Sequence, residues 1–137
     1  MPMVSTLPCE LDRIRSHQRL VVHNAAGQLV AHHLLLALDP WTRLRGLLGR
    51  DALEPGEGML LRPCAQVHSF FMRYPIDVLF VSRLGEVLAL HPRLEPWRTS
   101  RHVAGARGVL ELSAGQAAAT GTQVGHRLVF SETDAKV

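Results

Sequence analysis

The stretch Asp77-Val78-Leu79-Phe80-Val81-Ser82-Arg83-Leu84-Gly85-Glu86-Val87-Leu88-Ala89-Leu90 decides the class of fold. Two apolar runs, Asp77 to Ser82 and Glu86 to Leu90, flank Leu84-Gly85, and a glycine in a short break between such runs marks a hairpin turn. In an extended chain Val78 and Phe80 point to one side, Leu79 and Val81 to the other. Both sides are apolar, so this strand is expected in the interior of a sheet, covered on both faces.

Outward from that hairpin the pattern stays β-rich. Upstream, Gly58 to Leu61 and Gln66 to Phe71 read as short strands interrupted by Pro63, after a loop from Asp51 to Glu57. Leu20 to His23, the turn Asn24-Ala25-Ala26-Gly27, and Gln28 to Leu38 read as a first hairpin, since Asn and Gly tolerate tight-turn geometry. Asp39-Pro40 announces a helix, because Asp accepts from free first-turn N–H groups and Pro fits the first helical position. Trp41, Leu44 and Leu48 recur at helical spacing beside Leu47, with Arg43, Arg45 and Arg50 on the wet side and Gly49 as the stop. The indole of Trp41 is expected to cover core residues.

Downstream, Pro92 and Pro96 suggest an irregular loop to about Gly105. Val109 to Leu112 and His126 to Phe130 read as strands, with a helical turn through Ala117-Ala118-Ala119 closed by Gly121. Many short strands with one short amphipathic helix predict a mainly β fold, a small β-sandwich or partly closed β-barrel. Residues 1–18 are expected to be a flexible leader, 19–131 a single β-rich domain and 132–137 a tail.

The chain has 137 residues and is 47% apolar, enough for one core. Its apolar runs are far shorter than the roughly 20 residues that span a bilayer, so no transmembrane segment is expected. No apolar run resembling a secretory signal appears near the N-terminus, so the expected compartment is the cytoplasm and the protein is expected to be soluble. There Cys9 and Cys64 would be free thiols. The formal charge is +3, and fourteen of the fifteen basic residues are arginines spread from Arg13 to Arg127. Nucleic-acid binders concentrate such charge on one face, so a nucleic-acid partner is not expected.

Four segments carry a resemblance: Arg45-Gly46-Leu47-Leu48-Gly49-Arg50, Gly58-Met59-Leu60-Leu61, Val67 through Val81, and Val109-Leu110-Glu111-Leu112-Ser113-Ala114-Gly115. From about Leu20 to Phe130 the chain resembles the uncharacterised family called domain of unknown function 192. The resemblance implies a compact, mainly β architecture and brings no activity, substrate or cofactor.

Chemistry-bearing residues gather around the same stretch. Asp77 and Glu111 sit among apolar neighbours, where a carboxylate must be hydrogen-bonded, paired or protonated. Arg73, Arg98 and Arg107 are candidate partners. In a structural role Asp77 would accept backbone N–H groups at the strand entrance and Glu111 would tie down the Pro92-to-Gly105 loop. In a binding role both would form the polar wall of a pocket whose apolar wall is Phe70, Met72 and Trp97. The loop Pro96-Trp97-Arg98-Thr99-Ser100-Arg101-His102 offers a flat aromatic, guanidinium forks and hydroxyls, a set suited to an anion or a planar ligand.

The sequence therefore predicts a non-catalytic domain that binds a small molecule or protein through His68, Met72, Asp77, Trp97, Arg98 and Glu111, with no cofactor. The alternative is a metal protein or thiol enzyme using His68 with Cys64 or Met72, a ligand set suited to a soft ion. Against it, residues four apart on a strand are roughly 13 Å apart, and no C-x-x-C, H-x-x-x-H or H-E-x-x-H motif is present. Ser69 beside His68 would point to the opposite face of a strand, and no recognised cysteine signature links Cys64 to His91 or His102.

Overall fold

The computed structural model describes residues 10–46, 53–69 and 72–133, without the side chains of residues 44 and 45. Among these residues the fold is mostly β, with eight strands in two sheets that do not close into a barrel. The strands are β1 (Leu20–His23), β2 (Leu29–Ala31), β3 (His33–Ala37), β4 (Glu57–Leu61), β5 (Ile76–Val81), β6 (Val87–Leu94), β7 (Gly108–Ser113) and β8 (Val129–Glu132). Two short helices, α1 (Pro40–Arg45) and α2 (Gln116–Ala119), complete the frame. The smaller sheet has the order β2-β1-β8 and the larger the order β3-β4-β7-β5-β6. In the larger sheet only the β3–β4 pairing is parallel.

The predicted hairpin is β5–β6, with Gly85 in the left-handed region. Strand β5 lies between β6 and β7, and all six of its residues are buried. Its alternation separates two apolar layers. Leu79 and Val81 join Leu60, Leu110 and Leu112 against Val22, Val30 and Phe130 of the smaller sheet. Val78 and Phe80 join Met59, Leu61 and Val109 on the outer side, beneath Val67 and Met72.

Four expectations are corrected. The run Gln28 to Leu38 is two strands, because the N–H groups of His32 and His33 both donate to the carbonyl of Gly56, at 2.9 and 3.3 Å, and bend the chain from one sheet into the other. Residues 66–69 are extended but stand outside the sheet, their one β-bridge being His68 to Thr99. Strand β6 continues through Pro92 to Leu94, which is possible because β6 is an edge where a missing N–H is tolerated. Trp41 does not cover the core, standing 80% exposed.

The segment read as a leader also contributes to the core. A 3-10 turn at Leu11–Arg13 buries Leu11 and Ile14 completely. The Arg62 guanidinium donates to the carbonyls of both residues. Helix α1 starts as expected, with Asp39 accepting from the Thr42 N–H at 2.8 Å and Pro40 in the first turn. Gly46 forms its C-cap; the expected stop Gly49, and Leu47, Leu48, Cys9, Phe70 and Phe71, lie outside the described residues.

Candidate functional site

The outer face of the larger sheet is roofed by two connections, the described residues of one being 62–69 and 72–75 and those of the other running from Glu95 to Arg107. They bind each other through backbone pairs: Val103 N–H to the Ala65 carbonyl, Ser100 to Val67, Ser69 to Arg98, and Trp97 to Ser69, all at 2.8–2.9 Å. Two buried serines lock this pairing. The Ser69 hydroxyl donates to the Glu95 carbonyl at 2.6 Å and accepts from the Arg98 N–H at 2.9 Å. The Ser100 hydroxyl accepts from the Val67 N–H at 2.9 Å and donates to the Arg101 carbonyl. Neither serine was singled out as a clamp in the sequence, because its partner lies some thirty positions away.

Glu111 sits under this roof. On β7 it faces Met59 of β4 on one side and Val78 of β5 on the other, so its side chain joins the outer apolar layer. It is 6% exposed and makes no hydrogen bond or ion pair among the described residues, and burial raises its carboxyl to about 7. The expected tie from Glu111 to the covering loop is absent, the serines supplying that role instead.

Cys64 lies in the same layer, its thiol donating to the Gln66 carbonyl at 3.2 Å. Burial raises its pKa, and the charge of Glu111 adds to that effect. The thiolate is therefore disfavoured, the reverse of what a nucleophile or thiolate ligand needs. Met72 is buried and fills core space. His91 faces Val78 and meets the edge of Phe80 at 5.9 Å between ring centroids.

Asp77 belongs elsewhere. It is 1% exposed and lies on the opposite face of β5 from Val78, accepting from the N–H groups of Arg93 (2.9 Å), Gly115 (3.1 Å) and Ala117 (2.9 Å). This is the expected structural role for the carboxylate, and it removes Asp77 from any cleft shared with Glu111. Among the described residues no arginine side chain pairs with either acid: the Arg107 guanidinium is paired with Asp12, and Arg73 and Arg98 are exposed.

The remaining three predicted residues lie on the roof. His68 is exposed in its bridge with Thr99, and Arg98 is exposed beside Trp97. Trp97 is 59% exposed and has φ of 66°, a left-handed conformation uncommon for a bulky residue. Thus Glu111, Met72, Cys64, His68, Trp97 and Arg98 share one side of the larger sheet, and Asp77 does not. Among the described residues no three His, Cys, Asp or Glu side chains form a group able to hold a metal ion. None of the described helices is long and apolar enough to cross a membrane.

Two solved structures share this architecture. One, from Sinorhizobium meliloti 1021 and described as a "putative transcription regulator", is 29% identical, with a TM-score of 0.68 over 82% of this chain and 92% of that one. The other, a protein of unknown function from Novosphingobium aromaticivorans DSM 12444, has a TM-score of 0.70 over 80% of this chain and 81% of that one. At 23% identity it supports the fold alone. No curated protein matches the chain. The family model for domain of unknown function 192, described as "Uncharacterized ACR", matches residues 21–130. With most of its length matched, the chain belongs to the domain of unknown function 192 family.

Proposed function

We propose that this protein is a non-catalytic binding domain whose small-molecule or protein ligand docks on the roof formed by residues 62–69, 72–75 and 95–107, above Glu111. The observation that carries the reading is the Glu111 carboxyl, which belongs to a residue only 6% exposed and has no hydrogen bond or ion pair among the described residues. Burial disfavours the charged form of this carboxyl, and a ligand's donor that reaches it would offset that cost. Trp97 supports the reading as an exposed aromatic held in a strained backbone conformation, a cost that clusters at sites of recognition. In this proposal Trp97 and Arg98 grip the ligand, His68 borders it, and Met72 and Cys64 form the apolar floor. We place the protein in the cytoplasm.

The metal or thiol-enzyme alternative has no comparable support, since the raised pKa of Cys64 opposes thiolate chemistry. A nucleic-acid partner is not proposed, because Arg83 and Arg107 are engaged with Glu10 and Asp12 and the other arginines are dispersed along the sequence. The test is a thermal-shift panel of primary amines, amides and planar heterocycles on the wild type and on Trp97→Ala and Glu111→Gln. A compound that stabilises the wild type and neither variant supports the proposal. A panel in which every stabilising compound acts equally on all three proteins overturns it.

A further inference from the structure

A recess opens where the chain crosses between the sheets, lined by none of the roof residues over Glu111. Its volume is about 210 Å³, and its polar wall is formed by Gln18, Arg19, His32, His33 and Thr133. The local backbone explains why these groups converge. The Thr133 N–H donates to the Arg19 carbonyl at 2.8 Å, extending the β1–β8 pairing, while the two hydrogen bonds donated to the Gly56 carbonyl bend the chain at His32 and His33. The ring of His32 lies against Gly56, whose backbone has φ of +88°; a side chain added there would reach within 2.5 Å of the His32 Nε2.

The groups around the recess differ in availability. Both ends of the Gln18 amide are used, its oxygen accepting from the Arg15 N–H at 2.7 Å and its nitrogen donating to Glu132 at 3.1 Å. Among the described residues the Arg19 guanidinium and the rings of His32 and His33 make no hydrogen bond or ion pair. Two carboxylates linked to the lining residues have other partners: Glu132 holds Gln18, and Glu57, opposite His33 in the β3–β4 register, accepts from the Glu54 N–H. Three residues whose side chains can donate N–H bonds, one of them permanently cationic, thus line a recess together with Leu20 and Leu34.

We infer that this recess binds a small organic anion, a carboxylate or phosphate with a short apolar portion, held by Arg19, His32 and His33. Arg suits such groups because its planar fork matches two oxygens at once. The volume is below the roughly 300 Å³ at which drug-sized pockets begin, which limits the ligand to a few non-hydrogen atoms beyond the anion.

The experiment is an NMR titration of the ring resonances of His32 and His33 with butyrate and, separately, with inorganic phosphate. Saturable shifts at both rings are expected with at least one anion, with His23 and His126 unmoved, and the anion that saturates identifies the group recognised. The variants Arg19→Gln and His32→Gln, at exposed positions, should each weaken binding about tenfold, the loss of one charge-assisted contact. Backbone amide spectra confirm that each variant is folded. The inference is overturned if neither anion saturates, or if affinity is unchanged in both variants.

Discussion

Asp77 and Glu111 lie on neighbouring strands and face opposite ways. Residue 111 is in register with Val78, and Asp77 with Leu112, so the two acids project from opposite faces of the same pair of strands. Their environments divide accordingly. Asp77 receives three backbone N–H groups, whereas Glu111 enters an apolar layer with none. One carboxylate holds the frame together and the other makes it less stable when ionised.

The ionisation of Glu111 therefore sets a pH dependence. Folding raises its carboxyl from the ordinary 4.5 to about 7, so the folded state holds this proton more tightly than the unfolded chain does. Its stability is full below about pH 4.5, falls as pH rises through the window to about 7, and levels off above it. The gap corresponds to roughly 3 kcal/mol. Glu111→Gln should accordingly be more stable than wild type in alkaline buffer by up to that amount and nearly equal to it at low pH. Urea melts at the two ends of the window check this; a variant equally destabilised at both would show that the carboxylate is paired in solution.

Replacing Asp77 tests the opposite case. Asp77→Ala leaves three buried or half-buried N–H groups without their acceptor, and at about 1–3 kcal/mol each the loss should reach several kcal/mol. Asp77→Asn keeps one acceptor oxygen but turns an NH₂ toward a donor, and should fall between Ala and wild type. Hydrogen exchange at the amides of Arg93, Gly115 and Ala117 should accelerate in both variants. Unchanged protection there would refute the assignment.

How far the sequence discloses these roles depends on the range of the interaction. The β5–β6 hairpin, the Asn24 turn and the Asp39 cap are written in residues within a few positions of each other. The bend at His32 depends on the carbonyl of Gly56, and the placement of residues 66–69 outside the sheet on the hydroxyls of Ser69 and Ser100, none of which leaves a local period. Alternation assigns Asp77 to the face opposite Val78. Only the register with β7 shows that Glu111 shares the face of Val78, which is why the sequence grouped the two acids in one cleft.

The roof over Glu111 should loosen when its clamp is cut. Ser69→Ala removes the acceptor of the Arg98 N–H and the donor to the Glu95 carbonyl, at a cost of about 1–3 kcal/mol. Because those contacts join two connections and no strand of the sheet, exchange should rise at Trp97 and Arg98 while the amides of β5 and β7 stay protected. A uniform rise across the sheet would mean that roof and sheet unfold as one unit.

The two tryptophans separate packing from recognition. Trp41 is 80% exposed on α1, so Trp41→Ala should change stability by no more than about 0.5 kcal/mol. Trp97 is also largely exposed, but its φ of 66° carries a left-handed penalty of roughly 1–2 kcal/mol that glycine would not incur. Trp97→Gly gives up some packing and relieves that penalty, so its unfolding free energy should stay within about 1 kcal/mol of wild type. If the indole were chiefly an anchor for the roof, the same variant would lose the several kcal/mol typical of removing a packed aromatic. Equilibrium denaturation of the wild type and Trp97→Gly distinguishes the two, and an unimpaired Trp97→Gly fold would leave recognition as the reason an aromatic occupies a position whose backbone favours glycine.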